Sequence, residues 1–233
     1  MKLIRLFIPV VLGICLLIPF TGFSGNEVTT RTHKTPEFTK IEAGGVFKIS
    51  FRVGPLAPII IEAEDFAHEK IEVSVHSGLL KLSCNNLRNM DHDIKVTIVA
   101  PALESIDMSG ASAFATIGTL KAGSFSIEAS GASEVLVNVE AANTKIDVSG
   151  AAKLTLKGDS KQMNVEVSGA GKLYAESFVS ANSDVDVSGA GYAEVNVTQN
   201  LEAEASGAGS IRYHGNARVR SHTSGAGSIH QNN

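Results

Sequence analysis

Ile146-Asp147-Val148-Ser149-Gly150-Ala151-Ala152-Lys153-Leu154 is followed nineteen residues later by Val165-Glu166-Val167-Ser168-Gly169-Ala170-Gly171-Lys172-Leu173. The shared Ser-Gly-Ala occurs seven times, beginning at Ser109, Ser130, Ser149, Ser168, Ser188, Ser206 and Ser224. The steps between them are 21, 19, 19, 20, 18 and 18 residues. A fixed period of this length with alternating flanks marks one structural unit stacked on itself. Counted from each Ser, position −3 holds Ile106, Ile127, Ile146, Val165, Val185, Ala203 and Ser221. Positions −1 and +5 are mostly apolar as well. These three positions share one side of an alternating strand and are expected to face inward.

Two strands and a return of about 19 residues cannot bury a face alone, but stacked coils can. The expected fold is all-β: a single-stranded parallel β-helix with coils of 18–21 residues. It is right-handed by the chirality of parallel crossovers. Gly110, Gly131, Gly150, Gly169, Gly189, Gly207 and Gly225 are the expected corners, where φ is positive and each corner stacks on the next. The serine hydroxyls are expected to bond along that stack.

Upstream, Val46–Phe51, Ile59–Ala63, Ile71–Val75, Leu79–Ser83 and Ile94–Val99 alternate like strands. Glu64–Lys70 allows one helical turn at most. We therefore divide the chain into 37–100, N-terminal coils, and 101–233, Ser-Gly-Ala coils, with 25–36 as a flexible tether. Residues 1–24 read as a cleaved signal peptide: Lys2 and Arg5, an apolar run from Leu6 to Phe20, then small residues at Gly22 and Ser24. The run contains Pro9 and Pro19 and is shorter than the roughly 20 residues of a membrane span. The expected location is therefore the periplasm, the outer-membrane surface or the extracellular space, with no membrane insertion once the signal is removed.

Cleavage removes Lys2 and Arg5 and leaves 18 basic against 24 acidic residues, a net charge of −6. That balance argues against a nucleic-acid partner. Cys84 is then the remaining cysteine, on the face of Leu80 and Leu82, and is expected to be a buried core thiol.

Position −2 faces outward and holds Asp107, Glu128, Asp147, Glu166, Asp186 and Glu204, then His222. Such a file of carboxylates could be a stripe that binds a cation or a positively charged partner, or simply a solvated face eased by Lys145, Lys153 and Lys172. The nine-residue glycine-rich calcium repeat is absent. Asp91-His92-Asp93 reads as a loop, and His214, His222 and His230 as surface residues in separate files. No metal site, cofactor or catalytic residue is assigned. The coils carry no long loops, the acids are spread evenly, and Tyr174, Tyr192 and Tyr213 are the only tyrosines.

Phe38-Thr39-Lys40-Ile41, Gly45-Val46-Phe47-Lys48-Ile49, Gly78-Leu79-Leu80-Lys81-Leu82 and Ala100-Pro101-Ala102-Leu103-Glu104-Ser105-Ile106 leading into Ser109-Gly110-Ala111 resemble a known family. It is the putative auto-transporter adhesin, head GIN domain family, a Bacteroidetes-type domain of unknown function. The resemblance covers roughly residues 37 to 215. It implies a right-handed, pectin-lyase-like β-helix without recognised catalytic residues. The expected function is a non-enzymatic adhesin or surface-binding module of the cell envelope, with an envelope or surface ligand, protein or glycan. The alternatives are a structural envelope protein without a specific ligand and a degenerate glycan-active enzyme. Open strand edges at both ends of a solenoid also offer a route to homo-oligomers.

Overall fold

The computed structural model describes residues 27–84, 87 and 91–232. The signal-peptide assignment to 1–24 lies outside them. The described chain is 70% strand and 2% helix, a β-solenoid of about 7 turns with parallel bridges.

The strands in chain order are β1 (Val28–His33), β2 (Lys40–Gly45), β3 (Phe47–Val53) and β4 (Ile59–Glu64). The short helix α1 (Asp65–His68) follows, then β5 (Ile71–His76), β6 (Leu79–Cys84) and β7 (Ile94–Ala100). Next come β8 (Ser105–Gly110), β9 (Ala113–Ile117), β10 (Leu120–Ala129), β11 (Glu134–Val148) and β12 (Lys153–Val167). The chain closes with β13 (Lys172–Val187), β14 (Tyr192–Ala205), β15 (Ser210–His214), β16 (Arg218–Thr223) and β17 (Ser228–Gln231).

From β8 onward the period becomes a stack. Ile127 lies beside Ile106 and Ile146, and Val165 beside Ile146 and Val185, all in parallel register. These residues are almost fully buried, as are Val135, Leu154 and Leu173 at position +5. The return is not a separate irregular segment. Strands β11 to β14 run unbroken from one corner almost to the next. Their inward alternation slips where successive residues escape burial, at Glu140–Asn143, Lys161–Gln162, Ala181–Asn182 and Thr198–Asn200. The strand bends there instead of breaking.

All seven expected corner glycines have φ between +64° and +73°. The corner ladder is a backbone one: Ala132 N–H donates to the Gly110 carbonyl at 2.8 Å, Ala151 to Gly131 and Ala170 to Gly150 at the same distance. The serine amides also donate to the coil before, as from Ser149 to Ala129 at 2.9 Å. The expected hydroxyl ladder is thus not what joins the corners.

The N-terminal third is stacked out of chain order. β2 lies between β6 and β8, and β3 between β7 and β9, all parallel. The coil of β2 and β3 is therefore sandwiched between a coil from later in the chain and the first Ser-Gly-Ala coil. Ala100-Pro101-Ala102-Leu103 carries the chain across it. Leu103 is buried there, and the Glu104 amide donates to the Thr39 carbonyl at 2.7 Å. Proline suits a segment that leaves the ladder, because it has no N–H to donate.

Beyond β7 the direction reverses. β4 runs antiparallel to β7, β1 antiparallel to β4, and β5 antiparallel to β6. Two expectations are corrected here. Residues 59–64 and 71–76 are antiparallel end strands, not further coils. Val28–His33, within the segment expected to be a flexible tether, is an edge strand anchored by Arg31 on Asp65 at 3.0 Å. Cys84 is corrected too. It is half-buried against Gly45, at the corner end of its strand where inward alternation runs out.

Glu64 is fully buried at this end. Its Oε1 accepts from the amides of Asp91 at 2.7 Å and His92 at 2.9 Å, and sits 3.1 Å from His92 Nδ1. Burial pushes the Glu64 carboxyl up, but the Asp91 amide and both His92 groups together hold it below the ordinary value of 4.5. A folded-state value below the unfolded one adds stability that is present above pH 4.5 and lost as pH falls through the folded value. Glu64→Gln is therefore expected to melt lower than wild type at neutral pH, with the gap closing in acid. A gap that stays constant from pH 7 to about 3 would show that the charge of Glu64 does not hold this loop.

Candidate functional site

The outer surface consists of files, because in-register parallel strands place equivalent residues about 4.8 Å apart. The −2 positions form one such file. Register runs Asp107, Glu128, Asp147, Glu166, Asp186, Glu204, each residue paired with the next. The six predicted carboxylates are thus brought together in order.

The file is longer than the repeats imply. Glu42 of β2 pairs with Asp107, and Lys81 of β6 pairs with Glu42. Lys81 Nζ lies 2.7 Å from Glu42 Oε1 and caps that end. His222 follows Glu204 at the other. Sequence reading missed Glu42 because no Ser-Gly-Ala follows it and because its coil is out of chain order. Burial, then Glu128 and Glu42, push the Asp107 carboxyl up, while Lys81 opposes them.

Toward the C-terminus the file broadens. Asp184 and Glu202 sit two residues before Asp186 and Glu204 on the same outward side, and their strands pair in register. With Glu166 and Lys145 they line an open depression of about 460 Å³. Five carboxylates face one another across three strands, opposed on this surface by Lys145.

A second outward face lies on the other side of the corners. The Tyr174 and Tyr192 rings are 5.6 Å apart and tilted by 48°. Lys153 Nζ lies 5.9 Å from the Tyr174 ring and Arg212 Cζ 5.8 Å from the Tyr192 ring, both in cation–π range. Tyr192 donates its hydroxyl to Glu194 Oε2 at 2.9 Å, and His214 Nε2 lies 3.0 Å from Glu194 Oε1. The His214 hydrogen bond leads in holding the Glu194 carboxyl below its ordinary value; burial opposes it. Burial and the Glu194 contact push the Tyr192 hydroxyl up to about 12.

His214 is therefore not a plain surface residue. Its side chain is 17% exposed and that of Glu194 14%. His222 and His230 do lie exposed in separate files, beside Glu204 and Arg212. Asp91-His92-Asp93 is a loop, with Asp93 bound to Lys48 at 2.6 Å. Among the described residues no helix is long and apolar enough to cross a membrane.

The solved structures similar to this chain share the fold. One is described as a putative adhesin from Bacteroides fragilis, 24% identical, with a TM-score of 0.83 over 89% of this chain and 98% of that one. Another, a putative adhesin from Parabacteroides merdae, is 20% identical with a TM-score of 0.75 over 89% and 97%. A third, described as a putative lipid binding protein from Parabacteroides distasonis, is 17% identical with a TM-score of 0.69 over 90% and 98%. At these identities the likeness establishes the fold alone. No curated protein matches. Residues 37–217, most of the described chain, match a single family profile, and the chain belongs to the putative auto-transporter adhesin, head GIN domain family.

Proposed function

We propose that this protein is an exported, non-enzymatic solenoid of the cell envelope that binds a positively charged surface ligand along its acidic file. The supporting observation is the unbroken register of seven carboxylates from Glu42 to Glu204, broadened by Asp184 and Glu202. Like charges on neighbouring strands repel. A cationic partner relieves that repulsion along its whole length, while a rigid sheet keeps the spacing fixed. The adhesin description of the family and the leader-like residues 1–24 support a place outside the cytoplasm. The adhesin description of the family supports binding over catalysis.

The test is capture from an envelope extract, with a glycan array in parallel. The wild-type protein is expected to retain partners that salt releases, since exposed charge contacts are screened over about 8 Å at physiological ionic strength. Asp184→Asn/Asp186→Asn/Glu202→Gln/Glu204→Gln is expected to lose most of that capture while melting at or above the wild-type temperature. Equal capture by the neutralised protein would move binding off the acidic file, and no capture by either would leave a structural solenoid as the correct reading. Turnover of a uronic-acid polymer would restore the enzyme.

A further inference from the structure

Three coils bring three ligand-bearing side chains to one spot on the outward face that lies past the corners from the acidic file. Glu176 comes from β13, Glu194 from β14 and His214 from β15. One carboxylate oxygen of each glutamate and one imidazole nitrogen all lie within 4.8 Å of one another. We infer that Glu176, Glu194 and His214 form a binding site for a divalent transition-metal ion, with Zn²⁺ the best match to the donor set.

One nitrogen and two carboxylate oxygens disfavour calcium and magnesium, which take oxygen ligands. They suit zinc, which accepts three protein ligands and leaves a fourth position to water. Zinc bonds of about 2.0–2.2 Å require ligand atoms roughly 3.3 Å apart. His214 Nε2 and Glu194 Oε1 already stand at 3.0 Å. Glu176 is exposed, so its side chain has room to swing the remaining distance. Zinc ligation takes the unprotonated Nε2 of His214 in place of its hydrogen bond to Glu194.

The surroundings fix the geometry. Tyr192 holds Glu194 Oε2 at 2.9 Å and so aims Oε1 at His214, an outer-shell contact of the kind that orients metal ligands. The Asn196 side-chain amide donates to the Glu176 carbonyl at 3.2 Å. Around it β13 carries an irregularity in its pairing with both neighbours, with Glu176 and Ser177 both facing outward. This coil has one of the longer steps, 20 residues, so an extra residue sits at the proposed ligand. Arg212, beside Tyr192 and Glu194, offsets one of the two carboxylates. A net negative charge remains for a dication to neutralise.

Titration calorimetry of the untagged full-length chain with zinc chloride tests this. One zinc per chain is expected, weakened at least tenfold in His214→Ala and in Glu194→Gln, and less in Tyr192→Phe, which keeps the stoichiometry. Cobalt(II) is expected to give the intense visible bands of a four- or five-coordinate ion in wild type, and to lose them in His214→Ala. If His214→Ala fails to fold without metal, His214→Gln serves in its place, and zinc must then raise the melting temperature of wild type alone. Zinc affinity and stoichiometry unchanged in the His214 variants, or no zinc bound at millimolar concentration, would overturn the site. Neither result bears on capture by the acidic file, which lies on another face.

Discussion

Gly110→Ala is expected to lower the melting temperature by roughly 5–15 °C, whereas Gly118→Ala lowers it by only a few degrees. Both glycines have positive φ, +73° and +86°, where a Cβ costs about 1–2 kcal/mol. They differ in what stacks against them. A Cβ on Gly118 meets nothing within 4 Å. A Cβ on Gly110 would lie 2.6 Å from the Gly45 carbonyl oxygen and 2.9 Å from the Gly45 nitrogen. Both are backbone atoms and have no rotamer by which to move away. The coils must part, which stretches the 2.8 Å bond from the Ala111 amide to the Gly45 carbonyl. Overpacking of that kind adds about 1–3 kcal/mol, and about 1 kcal/mol corresponds to 2–4 °C in a chain of this length. Thermal melting followed by circular dichroism compares the two variants directly. Equal shifts would mean that backbone strain alone, and not stacking, selects glycine at the corner.

Phe114→Ala is expected to cost about 3–5 kcal/mol, with Phe114→Leu costing less than half of that. Phe114 is 2% exposed and stands between Ile49 of β3 and Val135 of β11 in the inward file. Its ring stacks on Phe51 at 6.4 Å and 26°. It therefore joins the coil of β2 and β3 to the Ser-Gly-Ala coils, and truncation opens a cavity at that junction. Strands above and below are tied by their ladders and cannot collapse into it. The expected readout is a fall in denaturation midpoint with the slope unchanged. A loss below about 1 kcal/mol would mean that the junction relaxes freely.

The period itself carried the solenoid. When every coil stacks in register, a spacing in sequence becomes a file in space, so Asp107 to Glu204 and Gly110 to Gly225 could be placed from the repeats. Glu42 and Gly45 could not. Gly44-Gly45-Val46 does not spell the corner tripeptide, yet Gly45 accepts the first corner bond, from Ala111. Alternation likewise marked Ile59–Ala63 and Ile71–Val75 as strands but was silent on direction and partner, since a period of two looks the same in parallel and antiparallel pairs.

The metal-ligating trio was illegible for a related reason. Glu176, Glu194 and His214 fall at +8, +6 and +8 of their coils, so no single file contains them. They meet on a diagonal across three strands.

Sequence alone determined the repeating unit, its inward and outward faces and the order of the six repeat carboxylates, because each follows from local alternation multiplied by a fixed step. Tertiary structure decided which coil lies under which at the N-terminal end, where the strands turn antiparallel, and which outward side chains meet across coils. Those outcomes depend on crossovers such as Ala100 to Leu103 and on one-residue irregularities such as Glu176–Ser177, whose effects are set by packing between segments distant in the chain.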